Sequence, residues 1–215
     1  KSLLSSPKDV VIISHRNPDG DALGSSLGLR LYLDKLGHNV KVVMPSEYPK
    51  LFKYLPKVDE CIIFDLKQDE VRAAIKSAEL IFCLDFNGLD RIDKIGQNIA
   101  DATAKKILID HHLDPEPFAD YIFSDTAASS TSELVYKFLE DLGATDKIDK
   151  DIGECLFTGL ITDTGSFKYA TNPYTYFVAS KLKEKGVDDY QLNDNIFNAY
   201  NEKQLRLLGH CLVNR

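Results

Sequence analysis

The sequence predicts an α/β protein, with a doubly wound, mostly parallel sheet flanked by helices and a mainly helical C-terminal half. Three observations predict it. Short apolar runs recur at 10–13, 80–84 and 107–109, each the size of a buried strand. Segments with helical spacing separate them, and strand–helix alternation implies a parallel sheet covered on both faces. Each run ends in imidazole or acidic side chains: Ser14-His15 after the first, Asp85 after the second, Asp110-His111-His112 after the third. Ligands bind at that carboxyl edge in open α/β sheets.

The elements follow in order. Residues 10–14 read as a strand. Residues 22–37 read as a helix, with Ala22, Leu23, Leu27, Leu31 and Leu36 near helical spacing and Gly37 as its stop. Strands at 40–44 and 61–64 come next, then a short helix at 69–77, a buried strand at 80–85, a helix at 91–102 and a strand at 106–110. Right-handed crossovers place all the carboxyl ends on one edge. Near residue 123 the texture changes. Ser129-Ser130-Thr131-Ser132-Glu133 reads as a helix start, with hydroxyl caps followed by Glu133 and the apolar face Leu134, Val135, Phe138 and Leu139. Gly143 ends that helix. Residues 151–160 are apolar enough for a buried helix, Asn172-Pro173 marks a break, and helices follow at 174–185, 189–197 and 202–213.

Composition narrows the function. With 215 residues, 44% apolar and 27% charged, the chain can bury a substantial core. No apolar stretch approaches the roughly 20 residues of a membrane-spanning helix. The opening Lys1-Ser2-Leu3-Leu4-Ser5-Ser6-Pro7 lacks the apolar core and cleavage site of a signal peptide. Cys61, Cys83, Cys155 and Cys211 are scattered and form no C-x-x-C pair, so they read as small hydrophobes in a reducing, cytoplasmic setting. The net charge of −7 argues against a broad grip on long duplex nucleic acid. It leaves room for a small anionic substrate, because bound divalent cations reverse the local field.

The chemistry sits in the strand-end motifs. His15, Asp19 and Asp21 form H-x-x-x-D-x-D, with Pro18 and Gly20 allowing a tight turn. Two carboxylates this close repel each other unless a cation lies between them. An EF-hand starting at Asn17 would need Gly at position six and Glu at position twelve, where Ala22 and Gly28 stand. Phosphate-loop, dinucleotide-binding and zinc-type Cys/His spacings are absent. Asp85 taken alone could simply cap a following helix, and Asp163 in Thr162-Asp163-Thr164-Gly165 could belong to a helix-end turn. Taken together, the strand-end groups read as a metal site, most readily a two-metal one.

The order H-x-N-P-D-G-D-A-x-G-S (His15–Ser25), L-D-F-N (Leu84–Asn87), D-H-H (Asp110–His112) and T-D-T-G-S-F (Thr162–Phe167) resembles the DHH phosphoesterase superfamily over residues 8–200. The N-P-D-G-D-A-x-G-S form is most similar to the bacterial nano-RNase and phosphoadenosine-phosphate phosphatase branch. The resemblance implies metal ligation by His15 and Asp19 at one ion, by Asp21, His111 and Asp163 at a second, and by Asp85 at both. It also implies catalytic roles for His112, facing the scissile phosphate, and Asp110, steadying its neighbours. Four Asp ligands would balance two divalent ions. The mixed oxygen and imidazole set suits manganese, with magnesium, cobalt or zinc as alternatives. The implied reaction is attack of a metal-activated water on phosphorus.

The expected substrates are very short oligoribonucleotides and nucleoside 3′,5′-bisphosphates, with cyclic or linear dinucleotides as the main alternative and a non-catalytic nucleotide-binding module as a lesser one. Ser130 and Thr131, at a helix start, offer N–H groups and hydroxyls to phosphate, or serve as ordinary caps. Arg91 and Lys168 follow ligand motifs and are candidate phosphate contacts, or solvated surface. His38 and His210 match no motif. A homodimer is compatible with the sequence. The domain expectation is a DHH catalytic domain at 1–200 and, at 201–215, the start of a helix connecting to a second, substrate-gripping domain. The Gly-rich, His-containing segment of such a domain is not in this sequence, so the expected hydrolysis is weak.

Overall fold

The computed structural model describes residues 1–198 and 202–214. Six strands form one parallel sheet: β1 (Asp9–Ile13), β2 (Asn39–Met44), β3 (Ile62–Ile63), β4 (Leu80–Leu84), β5 (Lys105–Asp110) and β6 (Tyr121–Ser124). Their order across the sheet is β3-β2-β1-β4-β5-β6. The chain winds outward from β1 in one direction and from β4 in the other, so the switch point lies between these two strands.

The strands form because their residues are buried on both faces. Val10 and Ile12 of β1, with Leu80, Phe82 and Leu84 of β4 and Ile107 and Ile109 of β5, enter one core. Val11, Ile13, Ile81, Cys83 and Leu108 enter the other. This alternation is the period-two geometry of a strand, and burial on both faces explains why the runs look continuously apolar. The first core is roofed by α1 (Gly20–Lys35), α4 (Thr131–Asp141) and α5 (Lys150–Asp163), with α6 (Pro173–Glu184) packed outside α5. The second is covered by α2 (Gln68–Ser77) and α3 (Gly96–Asp101). Helices α7 (Asp189–Phe197) and α8 (Glu202–Val213) complete the C-terminal half. No helix among the described residues is long and apolar enough to cross a membrane.

The structure departs from the expected elements in three places. The helix expected at 91–102 opens as a 3-10 segment, Leu89–Ile95, breaks at Asp93 (φ 53°, ψ −130°), and resumes as α3. The strand expected at 61–64 is only Ile62–Ile63. β6 was not expected: Tyr121 and Ile122 are about half exposed, so the segment lacks a buried strand's apolar pattern. Gly37 ends α1 as anticipated, at φ +82°, where a side chain would be strained.

Candidate metal centre

The β1–β4 register pairs Ile13 with Cys83, so the next-but-one residues, His15 and Asp85, leave the sheet side by side at the switch point. The imidazole Nε2 of His15 lies 3.4 Å from Asp85 Oδ2 and 3.9 Å from Asp19 Oδ1. Its Nδ1–H donates to the Arg16 carbonyl at 2.9 Å. That bond fixes the tautomer and leaves Nε2 free to face the carboxylates, the arrangement a metal-ligating His requires. From the end of β5, His111 Nε2 lies 3.6 Å from Asp85 Oδ1 and 3.2 Å from Asp163 Oδ2. Three sets of donor atoms fall within 4.8 Å: His15, Asp19, Asp85; Asp21, His111, Asp163; and Asp85, His111, His112. Asp85 is common to the first and third sets and His111 to the second and third, so the groups form one connected cluster.

Two helices bring in the cluster groups that no strand supplies. Asp19 caps α1 by accepting from the Asp21 and Ala22 N–H groups, both at 3.0 Å. Asp163 is the last residue of α5, and α5 runs against α1 at glycine contact. A Cβ on Gly24 would lie 2.3 Å from the Cys155 carbonyl oxygen, and one on Gly159 would lie 2.4 Å from Asp21 Oδ1. Only glycine at these positions lets α5 approach closely enough to set Asp163 beside Asp21.

A family model described as "DHH family, N-terminal domain" matches residues 9–160. The chain belongs to the DHH family. It is 31% identical over 188 residues to the "Bifunctional oligoribonuclease and PAP phosphatase NrnA" of Thermus thermophilus, covering 87% of this chain and 53% of that protein. It is 26% identical over 196 residues to the "Cyclic-di-AMP phosphodiesterase PdeA" of Listeria monocytogenes, covering 87% of this chain and 30% of that one. Among solved structures, an exopolyphosphatase-related protein from Bacteroides fragilis superposes with a TM-score of 0.96 at 40% identity, covering 99% of this chain and 63% of that one. The chain thus spans about half the length of the Thermus relative it matches.

The electrostatics of this DHH domain follow from crowded carboxylates. Asp21 is fully buried, and burial together with the charges of Asp85 and Asp163 pushes its carboxyl well above the usual range. Burial and the Asp85 and Asp19 charges likewise raise Asp163, against the hydrogen bond from His111. Burial also works against the Asp85 carboxylate, but the hydrogen bond from His15 and three imidazoles prevail and hold it below the usual range. Burial opposes a charged His15 ring, yet the bond to Asp85 and its charge raise it to about 9.

The structure places the remaining candidates differently from one another. His112 Nδ1 bonds Asp110 Oδ1 at 2.7 Å, and Asp110 is fully buried while His112 reaches the surface. Ser130 and Thr131 are fully buried. Ser130 Oγ caps the Glu133 N–H at 3.1 Å. The N–H groups of Thr131 and Ser132 donate to the two oxygens of Asp21 at 2.6 and 2.8 Å, and Thr131 Oγ1 donates to Asp85 Oδ1 at 3.0 Å. The start of α4 therefore grips the protein's own carboxylates, with its positive helix end spent on Asp21. The sequence left these groups as phosphate contacts or ordinary caps, and here they bond within the protein. Arg91 and Lys168 are exposed, and neither pairs with a carboxylate of the cluster.

Arg16 is a residue the motif reading missed. Its backbone N–H donates to the Arg91 carbonyl at 2.9 Å, and its guanidinium holds Asp65 at 2.7 Å and Asp93 at 3.2 Å. The same residue's carbonyl orients His15. Nothing in the spacing of Arg16 announced this, because Asp65 and Asp93 are distant in sequence.

Replacing Thr131 with Val removes a donor to a buried carboxylate. The cation-free domain should lose about 1–3 kcal/mol, read as a shift in urea midpoint. Divalent-cation affinity should fall by about 10–100-fold. Thr131→Ser, which keeps the hydroxyl, should restore both.

Proposed function

We propose that this domain binds two divalent cations, best matched by manganese, and hydrolyses phosphoester bonds in very short RNA and in nucleoside 3′,5′-bisphosphates. The single observation that carries the reading is the gathering of five hard-donor side chains, His15, Asp19, Asp21, His111 and Asp163, from three chain segments around one buried carboxylate, Asp85. His15, Asp19 and Asp85 would hold one cation. Asp21, His111 and Asp163 would hold the other, with Asp85 shared. The donor chemistry fits: two imidazoles among four carboxylates suit manganese better than the all-oxygen preference of magnesium. When bound, such a pair supplies a water of lowered pKa and neutralises charge at the phosphoryl group.

The chain's own groups do the rest. Asp110, held in the sheet, accepts from His112 Nδ1–H and steadies the ring, leaving Nε2 as its second nitrogen. That nitrogen can give a proton to the departing oxygen of the ester. Asp85 sits at φ 65°, a strained conformation for a non-glycine residue, and its neighbours keep it there. The 31% identity to the Thermus oligoribonuclease and phosphatase supports short RNA and bisphosphates as substrates. The 26% identity to the Listeria enzyme makes cyclic dinucleotides the second reading.

The test is hydrolysis with manganese and with chelator, read as mononucleotide release from a diribonucleotide and from a nucleoside 3′,5′-bisphosphate, and as ring opening to a linear dinucleotide from a cyclic dinucleotide. Calorimetry of manganese uptake runs alongside. Chelator-sensitive hydrolysis of the first two, faster than of the third, is expected. Failure to take up manganese would sink the reading. Preference for the cyclic substrate would replace it with the second.

A further inference from the structure

We propose that the turn following Asp163 is a nucleobase-stacking subsite, in which Tyr169 presents its ring face and Lys168 the adjoining positive charge. The inference rests on the phosphoester reading of the neighbouring centre and names how that site would recognise its substrate.

The turn is built to hold an aromatic ring outward just after Asp163. Gly165, Ser166 and Phe167 all have left-handed backbones, at φ 54°, 58° and 62°. Thr164, fully buried, locks them: its hydroxyl accepts from the Phe167 N–H at 2.9 Å, and its carbonyl accepts from the N–H groups of Lys168 and Tyr169 at 2.8 and 3.1 Å. Ser166 Oγ ties the turn to Asn193 of α7 at 2.6 Å. Phe167 points inward as the anchor, edge-on to Phe157 at 5.9 Å and stacked on Tyr176 at 5.6 Å. Tyr169 does the opposite and remains 63% exposed.

Its ring is tied to the turn that carries Asp163. A Cβ on Gly165 would lie 2.1 Å from Tyr169 Cε2, so the ring rests against Gly165. Gly165 follows Asp163 by two residues, which limits their backbone separation to about 7 Å. An exposed tyrosine face and a lysine, next to a site suited to phosphate, are the paired features of sites that hold single-stranded nucleotides: stacking for the base, a cation for the backbone. In a chain of net charge −7, an exposed lysine at this edge also gives an anionic ligand a local point of attraction. The occupant to which these features commit is the base of the nucleotide whose phosphate faces the cluster.

The experiment compares AMP with ribose 5-phosphate, which lacks only the base, by calorimetry on the manganese-loaded protein. AMP should bind more tightly. Tyr169→Ala should weaken AMP between about fivefold and about a hundredfold, bring it toward ribose 5-phosphate, and leave ribose 5-phosphate and manganese uptake unchanged. Tyr169→Phe should keep the AMP preference. Equal binding of the two ligands by the unsubstituted protein would overturn the proposal, as would an unchanged AMP preference in Tyr169→Ala. A protein that takes up no manganese would refute the reading of the centre instead. The same ligand comparison without cation then decides the stacking subsite by the same criteria.

Discussion

Replacing Asp85 with Asn is expected to lower divalent-cation affinity at least about a hundredfold, beyond the 10–100-fold typical of losing a group that only supports a ligand. Asn is the informative substitution because it tolerates the left-handed backbone found at φ 65°. The backbone survives, and what is lost is the one anion among the described residues that approaches His15, His111 and His112 together. The cation-free protein provides an independent readout. Its His15 holds a proton up to about pH 9 because of Asp85. This raised value favours folding fully below the unfolded His pKa of about 6.5, and the contribution disappears as pH rises through about 9. In Asp85→Asn the His15 titration, followed by NMR, should move down toward the ordinary range, and stability should lose that alkaline fall. An unchanged His15 titration would show that Asp85 does not govern the centre's charge.

The second large effect is structural. Gly24→Ala should destabilise the domain by about 3 kcal/mol, the upper end of ordinary overpacking, and lower its thermal midpoint by about 6–12 °C. The added methyl meets the Cys155 carbonyl oxygen at 2.3 Å, and a backbone atom inside a helix cannot rotate away as a side-chain tip can. Relief requires α5 to move off α1, which also draws Asp163 away from Asp21. Cation affinity should therefore fall with stability. Gly209→Ala is the control. A Cβ there meets nothing within 4 Å, so its midpoint should hold or rise slightly with improved helix propensity. Equal melting of the two variants would show that the α1–α5 contact is looser than described.

The sequence revealed the sheet wherever strands were buried on both faces, because Val10–Ile13, Leu80–Leu84 and Ile107–Ile109 carry no polar interruption. It concealed β6, which lies at the edge with its first two residues exposed. His15, Asp85 and His111 were legible from position alone, since each follows an apolar run. Asp163 was not: it ends a helix, where an Asp has many ordinary uses, and only its motif marked it. The role of Thr131 was hidden for a different reason. A helix start announces free N–H groups without saying what they meet, and here they meet Asp21, 110 residues earlier in the chain. The glycines of α1 had the same difficulty, because close approach is a property of two segments together.

The burial of α1 has a consequence for how the polypeptide is made. From Gly20 to Leu33 nearly every residue of this helix is shielded, and part of the shield comes from α4 and α5. While the ribosome has yet to deliver residues 131–163, an early helix rich in leucine stands bare on a half-finished sheet. Fragments ending before α5 should accordingly clump or recruit chaperones, and refolding should pause until that late cover arrives.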